Sequence, residues 1–255
     1  MPPFLTGKTV LLTRPRRQAE QSRPLFEAEG ARVLIQPVQE ILPAGPPAPE
    51  AIAPETLAAV DRVIFSSANG VTFFLAALSE ADRDGGGRFD LLRRIPLAAV
   101  GPGTERELAR AGFRADVVPA CHSAEGLAEA LEGEARRGGR FLSVRGDRGR
   151  KVLRERLTAA GGSVGELSVY RAVEIKKPDG EIVRLMNSGR IDYTLLTSSA
   201  TAAGAVRLFG ESLRYTKLVA ISPLTASALE RAGFPAALEA AEATVEGMLD
   251  ALRPA

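Results

Sequence analysis

The sequence predicts an α/β protein of two lobes, each a parallel five-stranded sheet with flanking helices, one lobe nested in the other and joined to it by a two-stranded linker. Three observations carry this reading. The first is a duplication. Val10 to Gly30, VLLTRPRRQAEQSRPLFEAEG, is answered by Phe141 to Gly161, FLSVRGDRGRKVLRERLTAAG, with Arg14 over Arg145. Val63 to Gly70 (VIFSSANG) is answered by Leu195 to Ala202 (LLTSSATA), Ala99 to Phe113 by Ala220 to Phe234, and Ser123 to Leu131 by Thr244 to Leu252. With the first pair called B and the rest A, the chain reads B, A, B, A; a period of roughly 130 residues is too long for a solenoid and signals a duplicated domain.

The second observation is alternation. Short β-branched runs alternate with amphipathic stretches rich in Ala, Leu, Glu and Arg, the pattern of βαβ units with buried parallel strands. In order, the strands are expected at Thr9–Thr13, Val33–Pro37, Arg62–Ser66, Leu97–Gly101, Ala115–Val118, Arg140–Arg145, Val164–Tyr170, Tyr193–Thr197, Leu218–Ser222 and Ala236–Glu239. Helices follow most of them, several ending at a glycine suited to the left-handed position after a helix: Gly30, Gly112, Gly161, Gly210 and Gly233.

The third observation is linker chemistry. The stretch from 39 to 55 carries the Pro-rich LPAGPPAPEAIAPE, a spacer suited to crossing between bodies, and 171 to 179 is charged and partly extended. Between Leu131 and Arg140 lies only a short connection of the kind found within one α/β body. Both long linkers fall between a B and an A segment. The reading is therefore one discontinuous lobe of residues 1–38 and 175–255, and a second lobe of residues 43–170.

Composition narrows the chemistry. The 255 residues are 45% hydrophobic and 25% charged, with a formal net charge of +2, so the chain reads as a soluble globular protein without a nucleic-acid footprint. No apolar run approaches the roughly 20 residues that span a bilayer, and the first residues lack the regions of a signal peptide, so a cytoplasmic setting is expected. The only cysteine, Cys121, and the only histidine, His122, are neighbours in a loop. Adjacent side chains usually point apart, so these two are expected to be loop filler, and metal binding is not expected.

In doubly wound sheets ligands bind beyond the carboxyl ends of the strands, at helix N-termini. There the chain places Arg14, Ser66, Ser67, Asn69, Gly101, Thr104, Arg145, Thr197, Ser198, Ser199, Ser222 and Thr225. Unpaired N–H groups and the helix dipole make such loops suited to anions, and two lobes facing each other with them suggest a cleft for a large polyanion. Ser, Thr and Asn are equally the usual helix caps, and Arg14 and Arg145 could instead pin strand ends through ion pairs. Asp147 at a strand end has no matched carboxylate, so paired acid and base catalysis is not indicated. GPGTER lacks the Lys of a P-loop and the third Gly of a dinucleotide fingerprint, and the GDRGR run reads as a turn.

LLTRP, IQPVQEILP, SSANGV, AVGPGT, SAEGL, RGDRGRKVLRERLTAAGGSVGELSVYR, TSSAT and SPLTA, in that order, resemble the uroporphyrinogen-III synthase family over essentially the whole chain. The most specific piece runs from Arg145 to Arg171. The resemblance implies flavodoxin-like lobes and a cofactor-free cytoplasmic monomer. It implies an enzyme that takes the linear hydroxymethylbilane, expels its hydroxyl, inverts ring D and closes the macrocycle through an azafulvene cation and a spiro-pyrrolenine. Pyrrole nitrogens supply the electron push, leaving the protein to hold eight carboxylates, fold the substrate and help hydroxide leave. Tyr170 matches the tyrosine suggested to assist that departure. Thr225 matches the threonine of the family's G-P-x-T segment, in which Ser222 stands here for the Gly. Implied partners are the small-molecule polycarboxylate and, transiently, the preceding or following pathway enzyme, with neither nucleic acid nor membrane. The alternative is a non-catalytic ligand-binding or regulatory relative with the same two-lobed fold.

Overall fold

The computed structural model describes residues 3–149 and 151–254. In chain order its elements are β1 (Thr9–Leu12), α1 (Arg16–Glu27), β2 (Arg32–Ile35), β3 (Gln39–Pro43), α2 (Pro54–Ala58), β4 (Arg62–Phe65), α3 (Ala68–Ala81), α4 (Arg88–Leu92), β5 (Leu97–Ala99), α5 (Pro102–Arg110), α6 (Ala124–Arg136), β6 (Arg140–Gly146), α7 (Val152–Ala159), β7 (Ser163–Glu174), α8 (Gly180–Asn187), β8 (Tyr193–Leu196), α9 (Ser199–Phe209), β9 (Lys217–Ala220), α10 (Pro223–Arg231), β10 (Leu238–Glu239) and α11 (Val245–Asp250). The chain is a mixed α/β protein that divides into two compact units, Met1–Glu40 with Val173–Ala255, and Ile41–Ala172.

The first unit holds a sheet in the order β10-β9-β8-β1-β2. Its strands pair in parallel, with Val10 opposite Val33 on one side and Tyr193 on the other. Alternation sends Leu11 into one apolar cluster, with Leu196 and Leu218, and Val10 and Leu12 into another, with Phe26 and Met248. Both faces are thus covered, as a parallel sheet requires.

The second unit holds a sheet in the order β3-β7-β6-β4-β5. In β4, Val63 and Phe65 enter one cluster with Phe74 and Leu108, while Ile64 enters the opposite one with Leu127 and Leu157. All three are fully buried, which for side chains of this size contributes about 1.5–3 kcal/mol each. The two passages of the chain from one unit to the other fall inside β3 and β7, which are neighbours in this sheet.

Three details differ from the sequence reading. The strand expected at Ala115–Val118 is reduced to one bridge, Ala98 to Val117. The reason is local: the Asp116 carboxylate accepts the Leu97 N–H at 2.7 Å. The Pro-rich stretch between 39 and 55 is not a free spacer, because it begins as β3, buries Ile52 and places Pro49 and Pro54 at the first positions of a short 3-10 turn and of α2. Finally, the repeat shifts by one residue after β4. The equivalent helix caps are Ser67 and Ser198, where matching VIFSSANG to LLTSSATA sets Ser67 against Ser199.

Candidate functional site

In the first unit β1, β2, β8, β9 and β10 pair in parallel, as do β4, β5, β6 and β7 in the second, so the loops after these strands gather at one edge of each sheet, where helices begin. In the second unit that edge carries Ser66, Ser67 and Asn69 after β4, Gly101 and Thr104 after β5, and Arg145 and Tyr170 on β6 and β7. The Ser67 hydroxyl caps α3 by accepting the Gly70 N–H at 3.0 Å, leaving the other first-turn N–H groups open. Ser66 donates its hydroxyl to the Val144 carbonyl at 3.2 Å, which ties the loop to β6. Asn69 lies half-buried in the first turn of the same helix.

Tyr170 is positioned by a bulge. Along β7, Ser168 stands opposite Arg145, yet the next registered pair is Gly146 with Tyr170, so Val169 is passed over. Successive strand residues normally point to opposite faces, but both Val169 and Tyr170 pack on the cluster that contains Phe65 and Phe74. The Tyr170 ring stacks on Phe73, with centroids 5.9 Å apart and planes 28° apart. On its other flank is Gly146, where an added Cβ would sit 2.6 Å from Tyr170 Cζ. The phenol oxygen lies 3.0 Å from Ser67 Oγ.

Gly101 caps α5 with an extended backbone, and a Cβ on it would sit 3.1 Å from the Cβ of His122. His122 in turn holds the Pro119 carbonyl through Nδ1 at 2.9 Å, so the histidine packs the loop. Thr104 is buried one turn into α5. Arg145 is engaged: Nη1 donates to Glu166 at 2.5 Å, Nε to the Gly146 carbonyl at 3.1 Å, and Nη2 to the Gly149 carbonyl. Arg150, the next residue after Gly149, lies outside the described residues.

In the first unit the equivalent edge carries Arg14 after β1, Thr197, Ser198 and Ser199 after β8, and Ser222 and Thr225 after β9. Ser198 and Thr201 form a reciprocal capping box at the start of α9. Thr197 is half-buried just before the cap, and the Ser199 hydroxyl donates to the Leu224 carbonyl at 3.2 Å. Ser222 occupies the N-terminal cap position of α10 without a side-chain cap hydrogen bond, its Oγ 3.2 Å from Oγ1 of the buried Thr225. Arg14 meets neutral partners only: Nε and Nη2 donate to Gln18 Oε1 at 3.3 and 3.1 Å, and Nη1 to Ser22 Oγ at 3.0 Å. Among the described residues no carboxylate pairs with it. Burial pushes its pKa down, and only the Coulombic pull of Glu246 opposes that. A half-buried guanidinium that forms no direct ion pair, with Glu246 acting on it only through the field, has the chemistry to accept an anion.

Sequence reasoning missed Phe73 and Gly146 as the supports of Tyr170, and Gln18 and Ser22 as those of Arg14. The signal for Phe73 was present: Ser67, Gly70 and Phe73 recur at three-residue steps, which share a helix face. Among the described residues no group of three or more His, Cys, Asp and Glu is arranged to hold a metal ion, and no helix is long and apolar enough to cross a membrane.

Comparison with known proteins gives a consistent result. The profile of the family described as uroporphyrinogen-III synthase HemD matches residues 20–250. The chain is 30% identical to a uroporphyrinogen-III synthase of Chlorobaculum parvum, over 89% of this chain and 90% of that one. It is 29% identical to one from Synechococcus elongatus, over 97% and 95%. Among solved structures, a mutant uroporphyrinogen III synthase of Thermus thermophilus superposes with a TM-score of 0.61 at 20% identity, covering 95% of this chain and 96% of that one. The Helicobacter pylori uroporphyrinogen-III synthetase also gives 0.61, at 16% identity over 95% and 97%. At these identities the structural matches speak to the fold.

Proposed function

The chain belongs to the uroporphyrinogen-III synthase family, a family of cyclising lyases of tetrapyrrole biosynthesis, and we propose that it closes hydroxymethylbilane with inversion of ring D through the loops described above. The observation that carries the residue-level reading is the placement of the Tyr170 phenol, held by Phe73, Gly146 and Ser67 at the carboxyl edge of the second sheet. A tyrosine hydroxyl is a proton donor at neutral pH. The substrate's carbon–oxygen bond breaks with both electrons leaving on oxygen, the pyrrole nitrogen fills the vacated carbon, and the oxygen departs as water with the proton from Tyr170. Ring closure releases one proton from the far pyrrole, which restores the phenol.

The remaining residues hold the substrate. Arg14 receives one carboxylate arm through a guanidinium whose direct hydrogen-bond partners are neutral. Open N–H groups in the helix turns begun by Ser67, Gly101, Ser198 and Ser222 receive others, with Ser66, Asn69, Thr104, Thr197, Ser199 and Thr225 shaping those turns. Arg145 is read as a brace of the loop after β6, because its donors are spent on Glu166 and two carbonyls.

The finer description of the fold belongs to the same reading: two flavodoxin-like lobes, residues 1–38 with 175–255 and residues 43–170, the second inserted into the first through linkers near 39–55 and 171–179. Strand order supports it. In the first sheet, numbering along the chain gives β2-β1-β8-β9-β10, the flavodoxin order 2-1-3-4-5. The second sheet gives the same order when β6 is counted first: β7, β6, β4, β5 and the bridge at Val117. The reading keeps the protein in the cytoplasm as a monomer, with transient contact with neighbouring pathway enzymes.

The test is to supply hydroxymethylbilane and identify the product isomer. Type III is expected; type I alone, as from spontaneous closure, returns the chain to a non-catalytic relative. Tyr170→Phe should lower kcat about 100-fold or more, the usual worth of general acid assistance.

A further inference from the structure

We infer that Ser67 is a positioning residue for the Tyr170 proton rather than a contact for substrate. This deepens the assignment of Tyr170 as the donor and rests on it. The two hydroxyl oxygens lie 3.0 Å apart, and that contact alone leaves the direction of the hydrogen bond open. Two neighbouring facts favour Ser67 as the donor, and a third holds the ring in reach of it.

First, Ser67 Oγ already accepts the Gly70 N–H at 3.0 Å, and a backbone N–H can only donate. An oxygen that accepts one hydrogen bond becomes a stronger donor of the next, so the cap makes Ser67 the better donor of the pair. Second, the Ser67 cap is the start of α3, whose N-terminal partial positive charge favours electron density drawn toward it through the same bond. Third, the ring cannot turn away. Phe73 stacks on one face at 5.9 Å and Gly146 occupies the other flank so closely that a single added carbon would overlap Cζ, Cε2 and Oη.

With Ser67 donating to the phenol oxygen, the hydrogen of Tyr170 is left for a partner outside the protein, and the oxygen is prepared to take up charge when that hydrogen is given away. The line runs from the Gly70 N–H through Ser67 Oγ–H to Tyr170 Oη–H. Its Ser67–Tyr170 bond joins residues 103 apart in the chain. The opposite direction, Tyr170 donating to Ser67, would consume the proton that the reaction needs. Ser67 would then restrain catalysis.

A double-mutant cycle decides between these. Ser67→Ala, Ser67→Thr, Tyr170→Phe and the Ser67→Ala/Tyr170→Phe pair are compared for kcat, KM and Tm. The expected result is a fall of about 10-fold in kcat for Ser67→Ala, the worth of one hydrogen bond to a group gaining charge, with KM little changed. Ser67→Thr keeps the oxygen and should restore kcat to within about 3-fold, since threonine also caps helices. In the Tyr170→Phe background, Ser67→Ala should have no further effect on kcat, because its route to the reaction is gone. An unchanged or increased kcat in Ser67→Ala, or a full additive loss in the double variant, overturns the inference while leaving Tyr170 in place. If Tyr170→Phe itself turns over like the wild type, the assignment of Tyr170 fails first. Loss of Tm without loss of kcat in Ser67→Ala would reduce the residue to a helix cap and also overturn the inference.

Discussion

The Arg145 guanidinium meets the Glu166 carboxylate at 2.5 Å, whereas Arg14, its counterpart in the repeat, meets the amide oxygen of Gln18 and the hydroxyl of Ser22. The difference traces to one position. In β7, Glu166 pairs with Ser143 of β6, and the equivalent place in β2, opposite Leu12 of β1, is taken by Ile35. An aliphatic residue cannot pair with the first arginine, which is left with neutral hydrogen-bond partners and only the Coulombic pull of Glu246.

Arg14→Gln should therefore act on binding and Arg145→Gln on stability. A hydrogen bond to a charged group contributes about 1.5–3 kcal/mol, so Arg14→Gln should raise KM for the bilane roughly 10- to 100-fold while Tm changes little. Arg145→Gln leaves Glu166 short of its closest partner, although Arg154 remains 3.4 Å away, and should lower Tm with little change in KM. Kinetics and thermal melts on both variants check this; equal KM shifts in the two would refute the asymmetry.

Gly146→Ala tests the seat of Tyr170. The new methyl would sit 2.6 Å from Cζ and 2.9 Å from the phenol oxygen, distances that no side-chain rotation of alanine relieves. Overpacking of this kind costs about 1–3 kcal/mol. The ring has to move off Ser67, so kcat and Tm should fall together. A variant with normal kcat and a normal melt would show that the ring has room to spare.

How much was legible follows from the range over which each feature is determined. β4 was readable because Val63, Ile64 and Phe65 are β-branched or aromatic and buried on both faces, a local property. β3 was legible only as one half of a two-stranded linker and not by its bounds, because its second half runs into prolines and its partner β7 lies more than a hundred residues away in the chain. Ala115–Val118 looked like a strand, yet one side chain, Asp116, took the ladder position. The caps were legible as residue types, and the repeat alignment ran one residue off, setting Ser67 against Ser199 instead of Ser198, because TSSAT offers three hydroxyl residues in succession. The Ser67 to Tyr170 bond could not be read at all, since it depends on a bulge whose register shift leaves no local mark. The asymmetry of the two arginines was written in Glu166 and Ile35, but only strand register makes those two positions comparable.

At the amino edge of the same sheet, Asp61 and Arg140 give a pH dependence. Arg140 donates to the Asp61 carboxylate from Nε at 3.1 Å, from Nη2 at 2.8 Å and from its backbone N–H at 2.8 Å. The side-chain hydrogen bond from Arg140, then its backbone N–H, hold the Asp61 pKa down at about 2 from an ordinary 3.8. A carboxyl with a depressed folded-state pKa stabilises the protein above the unfolded value and stops doing so as pH falls through the folded one. The pair is exposed, so the effect is small, no more than about 4 °C in Tm. Asp61→Asn should melt slightly below wild type above about pH 4, and the two curves should converge as the pH approaches 2. A difference that persists unchanged at pH 2 would assign it to something other than this titration.

The last prediction separates stability from chemistry within the second unit. Arg62 opens β4 with only 9% of its side chain exposed, and Glu134 of α6 takes both ends of its fork, Nε at 2.9 Å and Nη2 at 2.8 Å. The third donor, Nη1, goes to the Leu97 carbonyl at 3.3 Å, and Asp116 stands 3.9 Å off, too far to replace a two-point contact. Removing the glutamate leaves a buried cation with a distant counter-ion, whereas Glu134 itself is 31% exposed and is served by water when alone. Breaking a fully buried pair costs about 3–5 kcal/mol, and the partial exposure of the glutamate places Glu134→Ala lower, at about 2–3 kcal/mol. Arg62→Met, which removes the buried charge together with its partner's obligation, should cost less, because an unbranched apolar chain fills the same slot. Both changes lie at the amino end of β4, with Ser67 beyond its carboxyl end. Folded molecules of either variant should therefore keep wild-type kcat and KM. Denaturant melts supply the energies and steady-state kinetics the activities; a fall in kcat at temperatures where Glu134→Ala is fully folded would mean that strain at one end of β4 reaches the edge that carries Ser67 and Tyr170.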